Sequence, residues 1–219
     1  MKLEEAVFTV FDFETTGLYP YTGDRICEIG ALRFGVNSVK PKSFHSLIDP
    51  KRSISYGAFR INGITDAMVR GKPVIEEVLP EFLKFISGSV LVAYNAGFDV
   101  GFLEASLGGR AGILEDYYII DALKLARRLF PGIGRYGLGS VAGSLRIKVG
   151  SEHRALADAI MTWRVFKKEL SILGREGVKT VEDIDCFRMR FSPSLSMVKD
   201  YKAHLIEEAA LEEKRLNIA

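Results

Sequence analysis

Apolar, β-branched and aromatic residues dominate positions 6–13, 25–34 and 42–49, the pattern of buried strands. Turn-forming stretches at 19–24 and 35–41 separate them, so the three strands are expected to form an antiparallel meander. From Pro73 to about Ile86 the period changes. Val78, Leu79, Phe82, Phe85 and Ile86 recur at helical spacing. Strand and helix then alternate. Residues 89–94 read as a buried strand, a helix is expected from near Asp99, 117–120 as a short strand, and 121–130 as a helix ended by Pro131. After 137–145 a long helix runs to about Leu170, with Leu156, Ile160, Trp163, Phe166 and Leu170 on one face.

A meander followed by alternating strands and helices gives an α/β fold: a mixed five-stranded sheet, antiparallel meander plus parallel strands, with helices on both faces. Gly174 and Gly177 suggest a linker. The main domain is therefore expected at 1–173, with 174–219 as a C-terminal extension. That extension ends in a charged amphipathic helix at about 195–216, which either packs on the domain or tethers a partner.

Composition narrows the classes. The chain has 219 residues with 47% hydrophobic and 26% charged, enough for one good-sized domain and an appendage. No apolar run approaches the roughly 18 residues that span a bilayer. The acidic start, Met1-Lys2-Leu3-Glu4-Glu5, leads straight into a strand and does not read as a signal peptide. Cys27 and Cys186 are too few for a disulfide framework, which fits a cytoplasmic protein. A net charge of +2 argues against a strongly basic, non-specific nucleic-acid binder, while leaving local basic patches open. Gln is absent and Asn occurs four times; depletion of thermolabile amides marks thermophile proteins.

Candidate chemistry begins at Asp12 and Glu14. Two apart on a strand, they leave the same face of a core element. Like charges that close repel unless something positive lies between them, and hard divalent cations prefer carboxylate oxygens. Asp99 lies where a core strand gives way to a helix, beside Asn95, a common place for function in α/β sheets. Asp158 is flanked by Ala157 and Ala159, which lets another element approach closely. His153 precedes it by five residues. On one helix the two would point about 140° apart, so they share a site only if His153 lies in the loop before the helix. A loop His with an ordinary pKa of roughly 6.5 suits a general base.

Together these residues resemble the DEDDh family of 3′–5′ exonucleases, which includes the proofreading epsilon subunits of bacterial DNA polymerase III. The resemblance rests on Phe11-Asp12-Phe13-Glu14-Thr15-Thr16-Gly17-Leu18, on residues 93–99, and on His153-Arg154-Ala155-Leu156-Ala157-Asp158. Weaker signatures at 61–69 and 121–127 accompany them, over about residues 5–170. Tyr94 and Asn62 stand where the family often has His, a departure expected to alter substrate contacts.

The resemblance implies a ribonuclease-H-like fold and two divalent ions, Mg²⁺ or Mn²⁺, held by Asp12, Glu14, Asp99 and Asp158, with Asp12 between the two. It implies His153 as general base, and release of nucleoside 5′-monophosphates from the 3′ end of DNA in proofreading or repair. It also implies Thr15, Leu18 and Asn95 as contacts to the terminal nucleotide, with Ile64 and Phe102 wedging or walling its pocket. Two rivals stand beside this reading. One is an RNA 3′-end-processing exonuclease of the same family; the other is a module whose role is to dock on a DNA polymerase catalytic subunit.

Overall fold

The computed structural model describes residues 1–148 and 153–187. The chain divides into two units, Met1–Met189 and Arg190–Ala219, and every described residue lies in the first. The amphipathic helix expected at 195–216 and His204 lie outside the described residues.

Strands β1 (Val7–Thr15), β2 (Ile26–Gly35) and β3 (Lys42–Leu47) form the expected meander. Strands β4 (Val90–Ala93) and β5 (Ile119–Asp121) add to the other side of β1, each parallel to its neighbour. The sheet order is β3-β2-β1-β4-β5. This is the mixed sheet anticipated from the alternation of elements.

Alternation along β1 assigns its two faces. Phe8 and Val10 point to a core shared with helix α7 (Ala155–Arg175) and helix α5 (Ala122–Leu129). The Phe8 ring meets Phe166 of α7 edge-on at 5.3 Å. Phe11 and Phe13 point the other way, where both rings meet Phe82 of helix α3 (Ile75–Ile86). Helices therefore cover both faces. Because the period is two, Asp12 and Glu14 continue the face of Phe8 and Val10, toward α7.

The strands differ in length, and the difference matters. β1 pairs with β4 only at Phe8, Thr9 and Val10. Beyond Val10, β1 has no strand on that edge. Helix α4 (Ala96–Leu107) begins there instead, directly after β4, with Asn95 in a left-handed conformation at φ 64°. The helix starts three residues earlier than expected, so Asp99 sits inside its first turn.

Two short helices were not anticipated: α1 (Tyr56–Asn62) and α2 (Asp66–Val69). Ser55 and Thr65 cap them, their hydroxyls accepting from the Ala58 and Met68 amides. Helix α6 (Leu138–Ser144) precedes α7. Gly174 does not open a linker, because α7 runs through it to Arg175. Burial of Leu170 and Leu173 holds that last turn, and it outweighs the roughly 1 kcal/mol helix penalty of a glycine. Val178, Val181 and Ile184 then join the same core. The Leu3 amide donates to the Lys179 carbonyl at 2.9 Å, and the Val181 amide to Met1 at 2.9 Å.

Candidate active site

The site grows from the register of β1 on β2. Asp12 lies opposite Gly30 and Glu14 opposite Glu28, so all four positions face α7. Gly30 carries no side chain, and the Ala155 backbone occupies that space. A Cβ built on Gly30 would fall 2.2 Å from the Ala155 carbonyl carbon. The start of α7 is thereby set down onto the strand beside Asp12, and one turn on Asp158 reaches the pair. Oxygens of Asp12, Glu14 and Asp158 all lie within 4.8 Å of one another.

Glu28 fixes that approach. It is 1% exposed and accepts from Arg154 Nε at 3.0 Å, Arg154 Nη2 at 2.6 Å and the Ala155 amide at 3.1 Å. His45 Nε2 completes the set at 2.7 Å. These bonds outweigh the cost of burial and hold the Glu28 carboxyl below its ordinary range. An ionised Glu28 therefore grips the residue that follows His153.

His153 lies outside the helix, as the spacing required, in a left-handed conformation at φ 61°. Its backbone amide donates to Asp158 Oδ2 at 2.9 Å. The side chain is exposed and lines a cleft of about 440 Å³ with Gly137, Ser140, Asp158 and Met161.

Asp99 comes from the opposite side. Its Oδ1 accepts from the Phe13 amide at 2.9 Å, which is the donor that the short β4 leaves unpaired. Asp99 is 2% exposed and stands outside the tight trio of Asp12, Glu14 and Asp158.

Burial followed by mutual repulsion governs the charges. Burial raises the Asp12 carboxyl well above its usual range, with Asp99, Glu14 and Asp158 adding to the shift. Burial raises Asp99 as well, opposed by its bond from Phe13. Glu14 is pushed up to about 8, first by burial and then by Asp158 and Glu28, against a hydrogen bond from the Asn62 amide. Three crowded, largely desolvated carboxylates match the oxygen donors that a hard divalent cation takes.

The remaining expected residues divide. Thr15 follows the trio on β1; its hydroxyl donates to the Gly17 carbonyl at 2.6 Å and its carbonyl accepts from Asn62 Nδ2 at 3.3 Å. Leu18 is half-buried in the loop after β1. The Asn95 amide donates to Asp121 Oδ1 at 3.2 Å, tying the start of α4 to β5. Ile64 and Phe102, expected at a nucleotide pocket, are enclosed by protein at 0% and 1% exposure. Ile64 packs with Cys27 and Val69, and Phe102 against Phe98. Their apolar side chains are consumed by packing behind the site and do not line it.

Sequence reasoning passed over Glu28 and Gly30. The signal was there: a charged residue and a glycine inside the otherwise apolar run Ile26-Cys27-Glu28-Ile29-Gly30. A charge in a buried strand demands partners, and a glycine there marks a close backbone approach.

Residues 9–166 match the family model described as Exonuclease. The chain belongs to the DEDDh 3′–5′ exonuclease family. It is 41% identical over 165 residues to the DNA polymerase III subunit epsilon of Treponema pallidum, covering 74% of this chain and 76% of that one. It is 39% identical over 185 residues to the PolC-type DNA polymerase III of Caldanaerobacter subterraneus subsp. tengcongensis, covering 84% of this chain. The chain spans only 13% of that polymerase's length. Among solved structures it resembles Exonuclease X in complex with 5′ overhanging duplex DNA, at 33% identity and a TM-score of 0.61, over 76% of this chain and 93% of the other.

Proposed function

We propose that this exonuclease removes nucleotides from the 3′ end of DNA with divalent metal ions, in replication proofreading or repair. One observation carries the reading. Asp12, Glu14 and Asp158 converge within 4.8 Å, beside a cleft that His153 lines. The epsilon and PolC relatives support DNA and a polymerase catalytic subunit as partners. A cytoplasmic location accords with that role. Among the described residues no helix is long and apolar enough to cross a membrane.

In this reading Asp12, Glu14, Asp99 and Asp158 would hold two divalent ions, Mg²⁺ or Mn²⁺, which would stabilise the charge on the phosphoryl oxygens during the displacement. His153 accepts a proton from the attacking water at the cleft. Its backbone bond to Asp158 and the Glu28 grip on Arg154 set where the imidazole stands beside the cleft. Thr15 and Leu18 border the terminal nucleotide. The deprotonated water attacks the terminal phosphodiester, the bond to the 3′ oxygen breaks, and a nucleoside 5′-monophosphate leaves.

The test is a 5′-labelled DNA primer with a mismatched 3′ end, followed with Mg²⁺, Mn²⁺ or EDTA beside the same strand as RNA. A metal-dependent ladder from the 3′ end, faster on DNA and absent for Asp12→Ala, is expected. Cleavage of RNA alone would move the role to RNA processing. No cleavage of either by the folded protein would leave polymerase docking as the function.

A further inference from the structure

Seven large apolar or aromatic side chains are exposed among the described residues, and three of them, Tyr56, Phe59 and Ile61, sit on the seven-residue helix α1. Tyr56 is 72% exposed and Phe59 40%. So short a helix packs little of itself into the core. Asn62 is its buried residue. A helix that shows two aromatic rings to water on one face, with Ile61 beside them, is shaped for something that covers it.

Its position says what. Both ends of α1 are tied to the two residues that follow Glu14. The Ser55 amide donates to the Thr16 carbonyl at 3.1 Å, and Asn62 Nδ2 to the Thr15 carbonyl at 3.3 Å. The helix is thus fastened to the rim of the carboxylate site. Between Asp49 and Asp66 the chain carries Lys51, Arg52 and Arg60; Lys51 pairs with Asp49 at 2.8 Å and Arg52 with Asp24 at 3.1 Å, and Arg60 is the cation on α1 itself. Arg60 extends over the Tyr56 ring, 6.0 Å from its centre, with Nη1 3.4 Å from the hydroxyl. Exposed rings interleaved with cations are what a single nucleic-acid strand takes: bases stack on the rings and phosphates meet the cations.

We infer that α1 is a stacking platform for the single-stranded segment just upstream of the scissile bond, with Tyr56 and Phe59 receiving bases and Arg60 a phosphate. The inference deepens the exonuclease reading and rests on it. A polyanion whose end lies at Asp12 and Glu14 needs positive charge beside the carboxylates, and Arg60 on α1 supplies one. It gives the enzyme a hold on the strand that is independent of base identity, since every base has a face to stack.

The experiment compares Tyr56→Ala/Phe59→Ala with the parent chain on two ligands. The first is a fluorescein-labelled oligothymidylate of about twenty nucleotides, its binding read by anisotropy in EDTA so that cleavage plays no part. The second is the p-nitrophenyl ester of thymidine 5′-monophosphate, whose Mg²⁺-dependent hydrolysis needs the carboxylates but offers no upstream nucleotide. The double variant is expected to bind the oligonucleotide at least about tenfold more weakly, from stacking worth roughly 1–3 kcal/mol per base. Ester hydrolysis should stay within about twofold. Unchanged oligonucleotide affinity would overturn the platform and leave α1 to a protein partner. An equal loss on both ligands would also overturn it, making the helix a support for the metal site. If the parent chain binds the oligonucleotide and fails to cleave the ester, the exonuclease reading fails separately.

Discussion

The Arg154 guanidinium grips the Glu28 carboxylate with two nitrogens, at 2.6 and 3.0 Å, and so joins the middle of β2 to the residue between His153 and α7. The pair does its work at a distance from the reacting atoms, by holding the loop that carries His153. Replacing Glu28 with Gln keeps the shape but removes the charge and one acceptor oxygen. Loss of one partner from a fully buried pair costs about 3–5 kcal/mol; Arg154 is 39% exposed, so a smaller loss is expected. Turnover should fall about tenfold or more as the loop shifts. A melting temperature and turnover equal to those of the parent would show that the loop is positioned without Glu28.

Gly30→Ala should be more damaging than its size suggests. The new methyl meets the Ala155 backbone, which has no rotamer to yield, so α7 must retreat from Asp12. A misplacement near 1 Å can cost about a hundredfold in rate, and a fall of that order in exonuclease activity is expected. Gly35→Ala on the same strand meets the Ser38 hydroxyl at 3.4 Å and the Ala6 carbonyl at 3.9 Å, ordinary contacts, and serves as the control. Equal activity of the two variants would refute the close-approach account.

His153→Ala should reduce turnover by about 10²–10⁴, the usual contribution of a general base, while leaving metal affinity nearly unchanged. Asp12→Ala should abolish cleavage, because Asp12 is central to the carboxylate set. Metal titration of both variants by calorimetry, beside their rates, separates the roles. Full activity of His153→Ala near neutral pH would remove it from the mechanism.

Protons and metal compete for the trio. With Glu14 pushed up to about 8, the metal-free site is protonated near neutrality, and a binding cation must expel those protons. The half-saturating Mg²⁺ concentration should therefore fall as pH rises through the window from the ordinary carboxylate value of 4.5 to about 8. Stability in EDTA follows the same sign. A group with a raised folded pKa stabilises fully below its unfolded value and loses that contribution as pH rises through the folded one. The chelated protein should melt lower at the alkaline end of the window, and saturating metal should remove most of the difference. A metal requirement independent of pH would contradict the assignment.

Glu169 offers a second pH effect, away from the site. It is wholly buried on α7, neither carboxyl oxygen has a hydrogen-bond partner among the described residues, and burial followed by Asp121 raises its pKa well above the ordinary 4.5. Its contribution to stability is present below that value and wanes as pH rises. Glu169→Gln, which cannot ionise, should melt like the parent in acid and higher than it in alkali, with or without metal. Identical pH profiles of the two would show that the Glu169 carboxyl titrates alike in the folded and unfolded chain, so that burial does not raise its pKa.

Much of the fold was legible because the core is built on two simple periods. Phe8, Val10, Phe11 and Phe13 alternate between two buried faces, and Phe166 and Leu170 recur on one helix face. The candidate site was legible where chemistry favours particular residue types, at Asp12, Glu14, Asp99, His153 and Asp158, residues that the fold brings near one another. What the sequence concealed has physical causes. Helices α1 and α2 are too short and too exposed to show an apolar stripe, and only their Ser55 and Thr65 caps hint at them. Gly174 reads as a break in isolation, but its neighbour Leu173 is buried and the helix continues. Ile64 and Phe102 sit close in sequence to site residues, yet their apolar side chains gain more from enclosure than from lining a cleft. Glu28 was passed over because its partners, Arg154 and the Ala155 amide, lie more than a hundred residues away.

The brevity of β4 has a final consequence. By stopping at Ala93 it leaves the Phe13 amide for Asp99 to satisfy, so that one carboxylate finishes the sheet as well as standing near the carboxylate trio. Asp12 has no such second duty and is opposed by every acidic neighbour. The two residues therefore pull evolution and engineering in opposite directions. An inert yet robust form of the enzyme is reached by neutralising Asp12, which relieves repulsion, whereas erasing Asp99 strands a buried donor and weakens the scaffold along with the catalyst.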